Sequence, residues 1–152
     1  MITEPAQADI RNVHRKVHPN CVVCGRSNDR GLQLQFEQLA DGTVQARFAC
    51  DRAFEGYQGT LHGGVIASLL DGAMTHCMFT RGTPAVTAEL TVRFRHPVVA
   101  GSAATVRAWI DRSLAPLHVL KSELIQNGQV KATGSGKFME RPGPSEVRQS
   151  FS

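Results

Sequence analysis

Leu61-His62-Gly63-Gly64-Val65-Ile66-Ala67-Ser68-Leu69-Leu70-Asp71-Gly72-Ala73-Met74 is the stretch that decides how this chain folds. Apolar residues fall at 65, 66, 69, 70, 73, 74, 77 and 78, which is helical spacing and predicts a helix over 62–80. The apolar stripe is wide, so the helix should be largely buried rather than laid on a surface. A carboxylate within such a helix is costly unless something pairs with it or uses it. At about 100° per residue, Asp71 shares an edge with Ala67, Ser68 and Thr75, away from Leu70 and Cys77. That polar, small-residue edge is suited to line a site, with the His62-Gly63-Gly64 turn at the start of the same helix.

Outward from the helix, the pattern changes from helical period to alternation. Leu32, Leu34 and Phe36 alternate with Gln33, Gln35 and Glu37, the signature of a half-buried strand. Asp41-Gly42 is a tight-turn pair, and Thr43–Ala49 alternates again to complete a hairpin. Residues 51–61 form an irregular approach loop with Phe54, Gly56, Tyr57 and Gly59. Beyond the helix, Gly82 and Pro84 supply its stop. Four strands are then predicted: Ala85–His96, Ala103–Arg112, Leu117–Gln126 and Gln129–Glu140, the last two joined by the hairpin pair Asn127-Gly128. One long apolar helix set against antiparallel strands predicts an α+β domain whose sheet wraps the helix. Such a sheet leaves edges open, and dimerisation is a natural way to cover one. The expected organisation is a polar leader over 1–20, weakly helical up to Val17 and stopped by Pro19, one domain over 21–140, and a disordered tail over 141–152.

Composition narrows the function classes. Of 152 residues, 41% are hydrophobic and 20% charged, enough for a real core. No apolar run reaches the length of a membrane span. The first 20 residues carry Glu4 and Asp9 and no apolar segment typical of a secretory signal, so a cytoplasmic location is expected. The net charge of +4 comes from scattered residues such as Arg93, Arg95, Arg107, Lys121 and Lys131, with only one Tyr and one Trp for base stacking. Nucleic acid is therefore not the expected partner, whereas a phosphorylated small molecule fits a mild positive balance. Cys50 and Cys77 read as small core residues. His14, His18, Cys21 and Cys24 have the spacing H-x3-H-x2-C-x2-C, which zinc chemistry can use. The rival reading is a plain turn, since Cys24-Gly25-Arg26-Ser27-Asn28 is loop chemistry and no second C-x-x-C follows. No metal is assigned at this stage.

Several segments together resemble the PaaI-type acyl-CoA thioesterases of the hotdog fold. They are Cys21-x-x-Cys24-Gly25, Asn28-x-x-Gly31-Leu32-x-Leu34-x-Phe36, Tyr57-Gln58-Gly59-Thr60-Leu61-His62-Gly63-Gly64, the helix up to Asp71, and Pro84–Leu90 leading to Arg93-Phe94. The resemblance covers roughly residues 20–140 and rests most on His-Gly-Gly with an acidic residue eight positions after the first Gly. It implies a hotdog fold, an acyl-CoA substrate, and a homodimer or dimer of dimers with sites at the subunit interface. By matching position, Asp71 would be the general base or nucleophile, the Gly63 amide would polarise the thioester carbonyl, His62 would shape the turn, and Thr87 would position carboxylate or water. Gly64, Tyr57 and Gln58 are the matching substrate-binding candidates. No cofactor is implied, since water and a carboxylate suffice. One departure stands out: many relatives carry Asn six residues before the His, where this chain has Gly56.

The chemistry is coherent on its own terms. Amides at a helix N-terminus carry about half a positive charge and suit an oxyanion. Gly63 and Gly64 let substrate approach the backbone closely. Burial raises a carboxylate's pKa and makes it a better base. Two alternatives remain open from the residues: an acyl-CoA binding protein without turnover, motivated by Gly56, and another chemistry of the fold such as enoyl hydration. Direct His62–Asp71 pairing, which hydration would ask for, is awkward over more than two helical turns.

Overall fold

The computed structural model describes residue 14 and residues 16–141. Most of the expected leader and tail therefore lies outside the described residues. Six strands and one long helix follow in the order β1 (Glu37–Gln38), β2 (Val44–Phe48), α1 (Gly63–Phe79), β3 (Ala85–Phe94), β4 (Ala104–Leu114), β5 (Leu117–Gln126) and β6 (Gln129–Glu140). All pairings are antiparallel, and the sheet order is β1-β2-β4-β5-β6-β3. Both strands and helix lie within two residues of their expected limits, with one exception. The strand expected from Leu32 shrinks to Glu37–Gln38. Leu32 and Leu34 donate their N–H groups to the carbonyls of Val22 and Val23, at 2.7 and 2.9 Å, rather than to a strand of the sheet. Gln33 between them adopts a left-handed φ of 57°. The alternation was real as burial, since Leu34 and Phe36 are in the core, but it packs a strap instead of extending the sheet.

The helix lies against the concave face of the sheet because it offers almost no polar face to water. Leu69, Leu70, Ala73, Met74 and Met78 are fully buried. Burying each of the large side chains is worth roughly 1.5–3 kcal/mol. Small residues on the sheet make room for them. Ala104, Val106 and Ala108 line the inner side of β4. On β6, a Cβ at Gly134 would sit 3.3 Å from Leu70 Cβ, and one at Gly136 would sit 3.2 Å from Met74 Cε. The Asn127-Gly128 turn takes positive φ at both residues, 51° and 74°, as the primed hairpin requires. At the far end, Ser113 Oγ meets His118 Nδ1 at 2.6 Å and His118 Nε2 meets Glu140 Oε1 at 2.9 Å, tying β4, β5 and β6 together.

The strap crosses α1 at Gly72. A Cβ there would approach Val23 Cγ1 to 2.7 Å, so the absence of a side chain is what lets the strap lie down on the helix. Gly72→Ala should gain about 1 kcal/mol of helix propensity and lose about 1–3 kcal/mol to overpacking. The expected result is net destabilisation in chemical denaturation, reversed to net stabilisation when the same change is made on a Val23→Ala background. Equal effects on both backgrounds would mean that Val23 is not the constraint.

Candidate active site

Asp71 sits half-buried on α1, and its carboxylate Oδ1 accepts a 2.6 Å hydrogen bond from Thr87 Oγ1. Thr87 reaches it because of strand register. It pairs with Phe138, which is buried against the helix, so both side chains face α1. A β-bulge between Thr87 and Glu89 then shifts the register, and Glu89 faces outward to pair with Lys137 at 3.2 Å. Burial raises the Asp71 pKa above the usual carboxylate range, while the Thr87 hydroxyl pulls the other way. The Asp71 carboxylate lines a cavity of about 150 Å³ together with Ser68 and Thr75, the edge expected from helical geometry.

At the other end of α1, His62 is the N-cap. Its Nδ1 accepts a 2.8 Å hydrogen bond from the Gly64 N–H. This places the ring proton of the neutral imidazole on Nε2. The carbonyl of His62 takes the next two amides, from Val65 and Ile66, at 3.0 and 3.1 Å. Among the described residues the Gly63 N–H is left without an acceptor, at the positive end of the helix dipole. Gly64 is thus spent on the cap and Gly63 is the free donor.

Gly56 accounts for itself sterically. A Cβ at that position would lie 3.2 Å from His62 Cα and 3.3 Å from His62 Cδ2, so the capping imidazole occupies the space in which a larger residue would start. Gly56 belongs to a small turn closed by the Glu55–Leu61 bridge and by its own N–H to the Thr60 carbonyl at 3.0 Å. Tyr57 and Gln58 form the tip of that turn. Tyr57 is 91% exposed, and neither it nor Gln58 lines the cavity that holds Asp71. Phe54 instead packs on Phe48, with ring centroids 5.7 Å apart, at the edge of the core.

Between the two ends runs the helix-facing side of β3. Leu90 and Phe94 pair with Gly136 and Ala132, which places them on that side, yet they are 37% and 55% exposed. The Phe94 ring lies 3.5 Å from where a Cβ of Gly63 would be. Asp71 with Thr87, the apolar Leu90 and Phe94, and the free Gly63 amide therefore form one continuous open flank along α1 and an unpaired sheet edge.

Sequence reasoning did not single out His76. It is 2% exposed, stacks on Phe36 at 4.2 Å between ring centroids, and borders the same cavity as Asp71. Burial lowers its pKa to about 3, so it is neutral. Across the cavity, the Cys24 thiol and His18 hydrogen-bond Cys21 and hold its thiol down to about 3, whereas Cys24 is raised by the same bond and by burial.

A single long helix wrapped by one antiparallel sheet, capped by His-Gly-Gly and carrying a carboxylate opposite a strand hydroxyl, is the hotdog arrangement. The family model described as Thioesterase superfamily matches residues 58–129 of this chain. Its structural neighbours agree on the fold. The Escherichia coli PaaI protein from the phenylacetic acid degradation operon superposes with a TM-score of 0.75 at 18% identity, over 94% of this chain and 98% of that one. The thioesterase superfamily protein RHA08564 gives 0.73 at 25% identity over 78% of this chain, which spans only 62% of that neighbour's length. The smu.793 protein of Streptococcus mutans, solved with acetyl CoA bound, gives 0.66 at 16% identity over 71% of this chain and 88% of that one.

His62→Ala removes the cap and leaves the Gly64 amide without its acceptor. A loss of about 1 kcal/mol, within the 0.5–2 kcal/mol range for caps, is expected in urea unfolding. An unchanged midpoint would show that the Nδ1 bond contributes nothing to the helix end.

Proposed function

We propose that this protein hydrolyses acyl-CoA thioesters, with Asp71 as general base on water or as nucleophile and the Gly63 amide as the oxyanion donor. The observation that carries the reading is the pairing of a pKa-raised carboxylate, held by Thr87, with a helix-terminal amide that has no acceptor among the described residues. In the general-base form, Asp71 takes a proton from water as the oxygen attacks the carbonyl carbon. The carbonyl electrons move to the oxygen facing Gly63, and the tetrahedral intermediate collapses by breaking the C–S bond. The leaving thiolate regains a proton, giving the free acid and CoA. A donor of this kind is worth about 2.7–4 kcal/mol of barrier in measured cases. The acetyl CoA bound to the S. mutans neighbour supports a CoA thioester as the ligand class.

Gly63 and Asp71 belong to different sites in this reading. Eight residues of helix separate them by about 12 Å, too far to serve one carbonyl carbon. A second copy supplies the missing half. The β3 edge, with Leu90 and Phe94 exposed beside both groups, is the surface that fits it. Two-fold pairing then sets Asp71 of one chain against Gly63 of its partner, twice, in a homodimer that can itself pair. Four free cysteines, two of them adjacent, suit a reducing cytoplasm. The binding-only alternative draws on Gly56, whose position is filled by His62 rather than by an amide side chain.

Asp71→Asn should abolish thiol release from an acyl-CoA panel while leaving the dimer intact; undiminished hydrolysis would sink the assignment. Because the folded pKa of Asp71 is raised, ionising it costs stability, a cost absent below the unfolded Asp value and complete above the folded one. Asp71→Asn should therefore raise Tm at neutral pH, with the gain fading as pH falls from the raised folded value of Asp71 to the ordinary Asp value. Thr87→Ala removes the hydrogen bond that favours the carboxylate. The acid limb of kcat/KM should move to higher pH and kcat should fall, whereas an unmoved limb would make Thr87 a bystander.

A further inference from the structure

The wall of the cavity opposite Asp71 gathers residues that hydrolysis does not use. His18, Cys21, Cys24 and His76 all line it. The ligand atoms of His18, Cys21 and Cys24 lie within 4.8 Å of one another, and so do those of His14, Cys24 and His76. His18 Nδ1 is 3.8 Å from Cys24 Sγ. A tetrahedral zinc ion with its usual N and S bond lengths spaces its ligand atoms about 3.5–4 Å apart. The Cys21–Cys24 turn is built for such a purpose. The Val23 N–H donates to Cys21 Sγ at 3.4 Å, and the Gly25 N–H closes on the Cys21 carbonyl at 2.8 Å. A Cβ on Gly25 would lie 2.3 Å from Cys21 N, so only glycine permits the turn.

The independent observation is His76. It is 2% exposed, and neither of its ring nitrogens has a hydrogen-bond partner among the described residues. Buried polar groups are ordinarily satisfied, and a fully buried imidazole with two orphaned nitrogens calls for a ligand. Phe36 and Phe79 fix its ring, at centroid distances of 4.2 and 4.9 Å. It stands on α1, so it faces the strap from the opposite side of the cavity.

We propose that His18, Cys21 and Cys24 form the core of a zinc site that His76 closes from the central helix when the ion draws the strap inward. His76 shares ligand spacing with Cys24 and His14 rather than with His18 and Cys21. Two thiolates and two imidazoles are the donor set of a closed, four-coordinate zinc, with no position left for substrate. The ion is structural. It fastens the strap across α1 beside Asp71 and shapes one wall of the cavity without entering the reaction. His14, whose ring centre is 5.1 Å from that of His76, backs the site.

The test uses the full chain, purified under reducing conditions, stripped with a chelator and titrated with zinc alone or with cobalt as a spectroscopic probe. One ion per chain, a higher Tm with zinc, and cobalt spectra showing thiolate charge transfer with the intense visible bands of a tetrahedral site are expected. Cys21→Ser, at the start of the strap, and His18→Gln, just before it, replace half-buried side chains and should fold, as circular dichroism would verify. Each should weaken zinc binding by at least about tenfold, and Cys21→Ser should diminish the charge-transfer band. His76→Gln should do likewise and His14→Ala should not; the reverse result would overturn the assignment of His76. A folded wild-type chain with no thiolate band, or binding undiminished in Cys21→Ser, would overturn the site.

Discussion

The rest of this structure depends on the burial of α1. A helix whose residues from Ile66 to Phe79 are nearly all shielded has no face to offer to water, so everything else must cover it. The sheet curls around one side with alanines and glycines where the helix comes closest. The strap from Cys21 to Phe36 covers the other, resting on Gly72. Among the described residues, the flank along β3 stays open. Asp71, near the middle of the helix, and the Gly63 amide at its start emerge there.

The same constraint tunes the chemistry. Covering the helix takes water from Asp71 and raises its pKa, while the bulge in β3 sets a single hydroxyl, Thr87, against it. Capping the helix with His62 uses the Gly64 amide and leaves that of Gly63 unmatched among the described residues. Neither feature is a separate addition to the fold. Both follow from how a buried helix is closed at its end and along its side, and Gly56 follows as well, because the capping ring fills the space above it.

Much of this was legible in the sequence. The helical stripe and the strong turn pairs, Asp41-Gly42 and Asn127-Gly128, placed the elements because local chemistry and burial agreed there. Leu32–Glu37 shows where that agreement breaks. Alternation reports which residues are buried, not which backbone partner they bond, and here the partner is the strap at Val22 and Val23. Asp71 was readable as a carboxylate out of place in an apolar helix. Thr87 was named through family resemblance, since only strand register brings it to Asp71. His76 went unseen although the same argument applied to it: a histidine within the apolar stripe, just before Cys77, is as out of place as the carboxylate. Its distance in sequence from Cys21 and Cys24 hid the cluster that the fold assembles. Tyr57 and Gln58, which the resemblance matches to substrate contacts, form an exposed turn within one chain.

Hydrolysis at a site shared between two copies is the central claim, and subunit complementation tests it most directly. Gly63→Pro deletes the amide at the first helical position, where proline is well tolerated, and Asp71→Asn deletes the base. Each variant alone should be inactive. Co-refolded in equal amounts, they should recover about a quarter of the wild-type rate, because half the dimers are mixed and each of those holds one intact site. A mixture as inactive as its parents, with mixed dimers demonstrably formed, would contradict the account.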